Sequence, residues 1–138
     1  MTEPASPATT RVLVVDDDPA ICQIYREVLT GVGYEVSTAG SCGEAMRRMD
    51  ELNGEAQVLV VDLGLPDGDG ADFVRQSNEK YGARATMYVS GWTDEFWQLQ
   101  DAPGRWLIMR KPIPIKKLLA AVKWLAQGGD KPAELDEP

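Results

Sequence analysis

Apolar positions in this chain follow two alternating rhythms. Val12-Leu13-Val14-Val15 and Val58-Leu59-Val60-Val61 are unbroken apolar runs, each ending at an aspartate. Runs of this kind suit strands buried on both faces of a parallel sheet. After the first run the spacing turns helical. Ile21, Ile24, Tyr25, Val28, Leu29 and Val32 recur three and four apart and predict one apolar stripe. Asp18 as N-cap and Pro19 at the first helical position start that helix, and Gly31 and Gly33 end it. Tyr34–Ala39 reads as a second strand. Ser41 with Glu44 forms a capping box ahead of Ala45, Met46, Met49 and Leu52 on one face. The third strand, Val58–Val61, runs into a loop rich in Gly, Pro and Asp and then a helix carrying Phe73 and Val74. Thr86–Val89 and Trp106–Met109 read as the fourth and fifth strands. Between them, Pro103-Gly104 cuts short a stretch holding Trp92, Phe96 and Trp97, which leaves room for about two helical turns. A last helix starts near Pro114 and places Ile115, Leu118, Leu119, Val122 and Leu125 on one face.

Alternation of this kind predicts an α/β domain: a doubly wound, five-stranded parallel sheet with helices on both faces, because each right-handed crossover needs a helix. Residues 1–10 and 128–138 read as tails, the second acidic and flexible, since neither carries enough apolar surface to offset its ordering entropy. The compact domain is residues 11–127.

Composition then narrows the function. The chain has 138 residues, 14 basic and 22 acidic, for a net charge of -8, which argues against direct nucleic-acid binding. The sequence holds no long apolar run for a membrane helix and no secretory start, and its two cysteines, Cys22 and Cys42, make no disulfide framework; a cytoplasmic protein is expected. Histidine is absent, which removes Ser-His-Asp triads and Cys/His zinc sites.

In open parallel sheets, ligands bind at the carboxyl ends of the strands. There this sequence places Asp16, Asp17 and Asp18 after the first strand, Asp62 after the third, Ser90 after the fourth and Lys111 after the fifth. Crowded carboxylates repel, and a hard divalent cation such as Mg²⁺ relieves that repulsion through oxygen ligands. A carboxylate beside Mg²⁺ and a lysine can act as a nucleophile toward phosphorus, and the cations spread the charge of the transferring phosphoryl group. The set reads as a place to put a phosphate on an aspartate.

The motifs VLVVDDDP, VLVVDLGLPDGDG, YVSG and KP, in this order at these strand ends, resemble the receiver domain of bacterial two-component response regulators. The resemblance implies a flavodoxin-like sheet in strand order 2-1-3-4-5. It implies that Asp62 accepts a phosphoryl group from a sensor histidine kinase or a histidine phosphotransfer protein, and that the cofactor is Mg²⁺. By position, Asp17 would be a direct Mg²⁺ ligand, Asp16 would act through bound water, and Gly64 would offer its backbone carbonyl. Ser90 would be the switch hydroxyl and Lys111 the phosphate-pairing lysine. The family's cis Lys-Pro bond would fall at Lys111-Pro112. Three departures stand out. Ile108 occupies the family's switch-aromatic position, with Trp106 on the same strand parity. Trp92 stands two residues after Ser90, where a small residue is usual, and its ring would shield the phospho-aspartate from water. The span from Ser90 to Lys111 is about one residue tighter than usual.

Plainer readings accompany these. Asp18 is an N-cap. Asp67–Gly70 is a turn starting a helix, because its downstream spacing fails the EF-hand pattern. Cys22 and Cys42 are packing or surface residues. With no effector segment after residue 127, the expected output is protein–protein contact with an unidentified downstream target, self-association into a homodimer included, and not enzymatic turnover. A phosphorelay intermediate or phosphate sink is the competing function, and a receiver fragment of a longer regulator would read the same way. A hydrolase of the aspartyl-phosphate type would need a second acid where Gly64 stands. A flavodoxin would need a phosphate nest where three aspartates stand.

Overall fold

The structure, a computed structural model, describes residues 9–91 and 103–136. The elements are β1 (Arg11–Val15), α1 (Pro19–Gly31), β2 (Glu35–Ala39), α2 (Cys42–Glu51), β3 (Val58–Asp62), a two-residue hairpin of β4 (Gly64–Leu65) and β5 (Gly68–Asp69), α3 (Gly70–Tyr81), β6 (Ala85–Ser90), β7 (Trp106–Arg110) and α4 (Ile115–Gln127), followed by a 3₁₀ turn over Ala133–Asp136. β1, β2, β3, β6 and β7 form one parallel sheet in the order β2-β1-β3-β6-β7. With the hairpin strands set aside, this is the expected order 2-1-3-4-5.

The unbroken apolar runs are explained by two cores, one on each face of the sheet. Val12, Val14, Val58 and Val60 pack toward α1 and α4 with Tyr25, Leu29, Leu118, Val122 and Leu125. Leu13, Val15, Leu59 and Val61 pack toward α2 and α3 with Ala45, Met49, Phe73 and Val74. Alternate residues of one strand thus serve opposite cores, and no polar face is left to break the run.

The helix ends follow local chemistry. The Asp18 side chain accepts from the Ala20 amide, with Pro19 as the first helical residue. Ser41 Oγ accepts the Glu44 amide at 3.1 Å. Glu44 reaches back to the Gly40 amide, one residue earlier than a standard capping box. The apolar stripes are narrower than their spacing implies. Ile24 (44% exposed), Val32 (58%) and Ile115 (40%) face solvent. Ile24 lies at the stripe's edge, Val32 is the C-cap, beyond the last helical residue of α1, and Ile115 is the first residue of α4. On the outer edge of β2, the Thr38 carbonyl accepts Arg48 Nε at 3.2 Å.

The segment after α4 departs from the tail expected there. Leu135 is buried and joins the core on the α1/α4 face. Trp124 Nε1 donates to the Gly129 carbonyl at 3.1 Å. The Lys131 ammonium stands 5.8 Å from the centroid of the same ring. One leucine and one tryptophan hold down a segment whose average composition is that of a linker. Trp92, Phe96 and Trp97 lie outside the described residues.

Candidate functional site at the carboxyl edge of the sheet

Strand ends deliver the site. β1 hands over to Asp16 and Asp17, and the Asp16 amide extends the β1–β2 ladder by donating to the Ala39 carbonyl at 3.0 Å. β3 ends on Asp62 and β6 on Ser90, while Lys111 follows β7 with its amide on the Ser90 carbonyl at 2.9 Å. The parallel register therefore brings residues far apart in sequence to one edge.

Lys111 Nζ donates to Asp62 Oδ2 at 2.8 Å and stands 3.3 Å from Asp16 Oδ2. The remaining carboxylate oxygens take backbone amides: Asp16 Oδ1 accepts from Asp18 at 2.9 Å, and Asp62 Oδ1 accepts from Gly64 at 2.9 Å. The Cys22 thiol donates to the Asp16 carbonyl at 3.2 Å. Asp16, Asp62 and Ser90 are buried, Asp17 is exposed and Lys111 is half-buried. The Lys111-Pro112 peptide is cis.

Electrostatics follow from this packing. Burial pushes the Asp16 carboxyl up, against the Asp18 amide and the Lys111 charge, which favour ionisation. For Lys111, burial alone would lower the ammonium. The hydrogen bond to Asp62 and the charge of Asp16 outweigh it and hold the ammonium above its ordinary value. One ammonium thus serves two carboxylates, those of Asp16 and Asp62.

A divalent cation fits this donor set. One carboxylate oxygen from each of Asp16, Asp17 and Asp62 lies within 4.8 Å of the others. A six-coordinate Mg²⁺ with bonds of about 2.1 Å spans about 4 Å and takes oxygen ligands of this type. A cation there would favour the charged form of the Asp16 carboxyl, which burial disfavours.

Ile108, at the family's switch-aromatic position, and Trp106, on the same strand parity, belong to a different part of the sheet. Trp106 and Ile108, on the edge strand β7, are half-buried against the α2/α3-side core. Trp106 meets the Tyr88 ring edge-on, with centroids 6.1 Å apart and planes at 75°. Tyr88 pairs with Ile108 across the β6–β7 register. Tyr88 was legible only as a strand residue. Burial, with the Asp69 charge adding, pushes its hydroxyl up to about 12. Trp92 lies outside the described residues. Sequence reading also missed Asp67, whose carboxylate meets α2, an element 25 residues earlier in the chain.

The family model described as the response regulator receiver domain matches residues 12–123. The chain belongs to that family. It is 34% identical over 131 residues, 94% of its length, to the transcriptional regulatory protein KdpE of Mycobacterium tuberculosis (strain CDC 1551 / Oshkosh), of which it covers 56%. It is 31% identical over 120 residues, 86% of its length, to the sensor kinase CckA of Brucella abortus (strain 2308), of which it covers 13%. The receiver thus spans at most about half the length of these curated relatives. Among solved structures, a CheY-like response regulator receiver domain protein from Methanospirillum hungatei JF-1 superposes with a TM-score of 0.76 at 25% identity, covering 84% of this chain and 92% of that one. Receiver domains of two-component systems are signalling modules that interact with histidine kinases, and their family binds Mg²⁺ at an acidic pocket. In this receiver the acidic cluster lies at the carboxyl edge of the sheet. Among the described residues no helix is long and apolar enough to cross a membrane.

Proposed function

We propose that this receiver domain takes a phosphoryl group onto Asp62 from the phosphohistidine of a sensor kinase or histidine phosphotransfer protein, and signals through a protein contact that changes with phosphorylation. The observation that carries the reading is the Lys111 ammonium bridging Asp62 and Asp16 within a three-carboxylate cluster. An Asp62 oxygen forms the O–P bond while the N–P bond of the donor breaks, and its electron pair leaves with the imidazole nitrogen. Lys111, already on Asp62 Oδ2, follows the charge onto a phosphoryl oxygen. The Gly64 amide holds the other Asp62 oxygen and so fixes the attacking carboxylate. Ser90, buried at the end of β6, donates its hydroxyl to the phosphoryl group. Asp16, Asp17, Asp62 and the Gly64 carbonyl would hold Mg²⁺, which neutralises the acidic cluster and the charge of the transferring group. A cytoplasmic setting fits the two free cysteines, Cys22 and Cys42.

Ile108 in place of an aromatic on β7 favours a second reading, a phosphorelay intermediate or sink in which transfer itself is the output. Rapid back-transfer to a histidine-bearing partner supports that reading, and a long-lived phosphoryl group with altered partner binding refutes it. The primary test is incubation with Mg²⁺ and acetyl phosphate followed by intact mass, with Asp62→Ala as control. The expected result is one phosphoryl group on the wild type alone. No gain from acetyl phosphate or a histidine kinase overturns the mechanism.

A further inference from the structure

The β4–β5 hairpin cannot support itself. It has two residue pairs, Gly64 with Asp69 and Leu65 with Gly68, far short of an independently stable ladder. Its base is anchored by buried Leu63 and Leu65 and by the Gly70 amide on the Leu63 carbonyl at 3.1 Å. Its tip, Pro66 and Asp67, is exposed. There Asp67 spends both carboxylate oxygens on α2: Oδ1 accepts the Cys42 amide at 2.8 Å and Oδ2 the Gly43 amide at 3.0 Å. Those are the first two helical amides, which α2's own cap leaves open because Ser41 Oγ takes Glu44. The Cys42 thiol closes a third contact, to the Asp69 carbonyl at 3.6 Å. The Gly43 and Cys42 amides hold the Asp67 carboxyl below its ordinary range, so the clip is charged at neutral pH.

The hairpin matters because it begins at Gly64, whose amide holds Asp62 Oδ1. With Lys111 on Oδ2, the orientation of the Asp62 carboxylate rests on one side chain and one loop. The other end of the clip, α2, leaves the sheet through Gly40 and Ser41, beside the Asp16 backbone. Asp67 therefore joins the loop after β2 to the loop after β3, on either side of the acidic cluster. Taking Asp62 as the acceptor and the cluster as the Mg²⁺ site, we infer that Asp67 is a positioning residue: by clipping the hairpin to the first turn of α2 it holds Gly64, and through Gly64 the Asp62 carboxylate, in the geometry that Mg²⁺ and the phosphoryl group require.

The experiment compares wild type, Asp67→Ala, Asp67→Asn and Ser41→Ala. Three quantities are read: the Mg²⁺ dissociation constant by calorimetry, hydrogen exchange of the Gly64 amide without Mg²⁺, and phosphoryl uptake from acetyl phosphate by mass. Asp67→Ala is expected to weaken Mg²⁺ binding about tenfold, the low end for loss of a group that orients a metal ligand. It also speeds exchange at Gly64. Asp67→Asn keeps one acceptor oxygen and falls between, which keeps the test usable should the alanine variant fail to fold. Ser41→Ala removes α2's own cap, so it lowers the melting temperature comparably while leaving Mg²⁺ affinity and Gly64 exchange within about twofold of wild type. Unchanged Mg²⁺ affinity in both Asp67 variants, or an equal loss in Ser41→Ala, overturns the inference and reduces Asp67 to a helix cap. A wild type that takes up neither Mg²⁺ nor phosphoryl overturns the reading of the site, and the inference falls with it.

Discussion

Gly70 is the point where the fold leaves least room near the site. It is the first residue of α3 and is buried. A Cβ built there would lie 2.2 Å from the Asp62 carbonyl oxygen, 2.7 Å from Val61 Cγ1 and 3.0 Å from the Asp62 carbonyl carbon. Two of those obstacles are backbone atoms of β3, the central strand, so no rotamer change relieves them. Reaching a tolerable contact from 2.2 Å moves either the α3 start or the end of β3 by about 1 Å. Overpacking of this kind costs about 3 kcal/mol. Alanine's better helix propensity returns at most about 1 kcal/mol. Gly70→Ala is therefore expected to lose about 2 kcal/mol, a fall of about 6–8 °C in melting temperature for a domain of this size. Because Asp62 forms one side of that clash, phosphoryl uptake is expected to fall as well. Gly91→Ala is the control: among the described residues a Cβ there meets nothing within 4 Å, and its cost is expected to stay within about 0.5 kcal/mol. Thermal unfolding and acetyl phosphate uptake on both variants decide the matter. A Gly70→Ala protein that melts within a degree or two of wild type, or a Gly91→Ala protein that loses as much, refutes the reasoning.

Two further outcomes follow from packing. Tyr88 is held up to about 12, so the folded chain keeps this proton where the unfolded chain, with an ordinary tyrosine value near 10, releases it. Stability is therefore lost as pH climbs from about 10 toward 12, and Tyr88→Phe is expected to flatten that alkaline decline in urea unfolding; an equally steep decline in the variant counts against it. Leu135→Ala is expected to cost about 2 kcal/mol, low for a buried leucine because the segment can peel away and relax. Chemical denaturation reads that loss, and a change under about 0.5 kcal/mol would show that the docked segment adds nothing.

The sheet was legible because its strands are buried on both faces, so Val12–Val15 and Val58–Val61 carry the pattern without help from context. The acidic cluster was legible because its members follow those runs, Asp16 and Asp62 directly and Asp17 one residue on. Parallel pairing then forces Asp16, Asp62 and Lys111 to a common edge. Other features depend on partners that periodicity does not encode. Asp67 looks like any aspartate in a Gly-rich turn, and its amides lie 25 and 24 residues upstream. Tyr88 gains its character from burial, and the ring it meets edge-on, Trp106, lies on the neighbouring strand. Leu135 is one apolar residue in a polar stretch, too sparse for a periodic signal, yet one buried leucine with a tryptophan beside it holds the segment. The helical stripes erred the other way, since spacing at 3.6 residues cannot tell a stripe's centre from its rim, as Ile24 shows.

The Arg48 contact on β2 bears on colloidal behaviour. In a parallel ladder alternate residues bond inward. Glu35 and Ala39 bond toward β1, so the groups of Val36 and Thr38 point out along an open edge. Such an edge is a template for strand addition and fibril growth. Arg48 places its guanidinium across that edge and occupies the Thr38 carbonyl, while Glu44 and Glu51 steady it from the same helix. A neighbouring chain that tried to extend the sheet would meet a charged side chain where it needs an acceptor. The same helix that covers the core thus takes one acceptor of the β2 edge out of reach of an added strand.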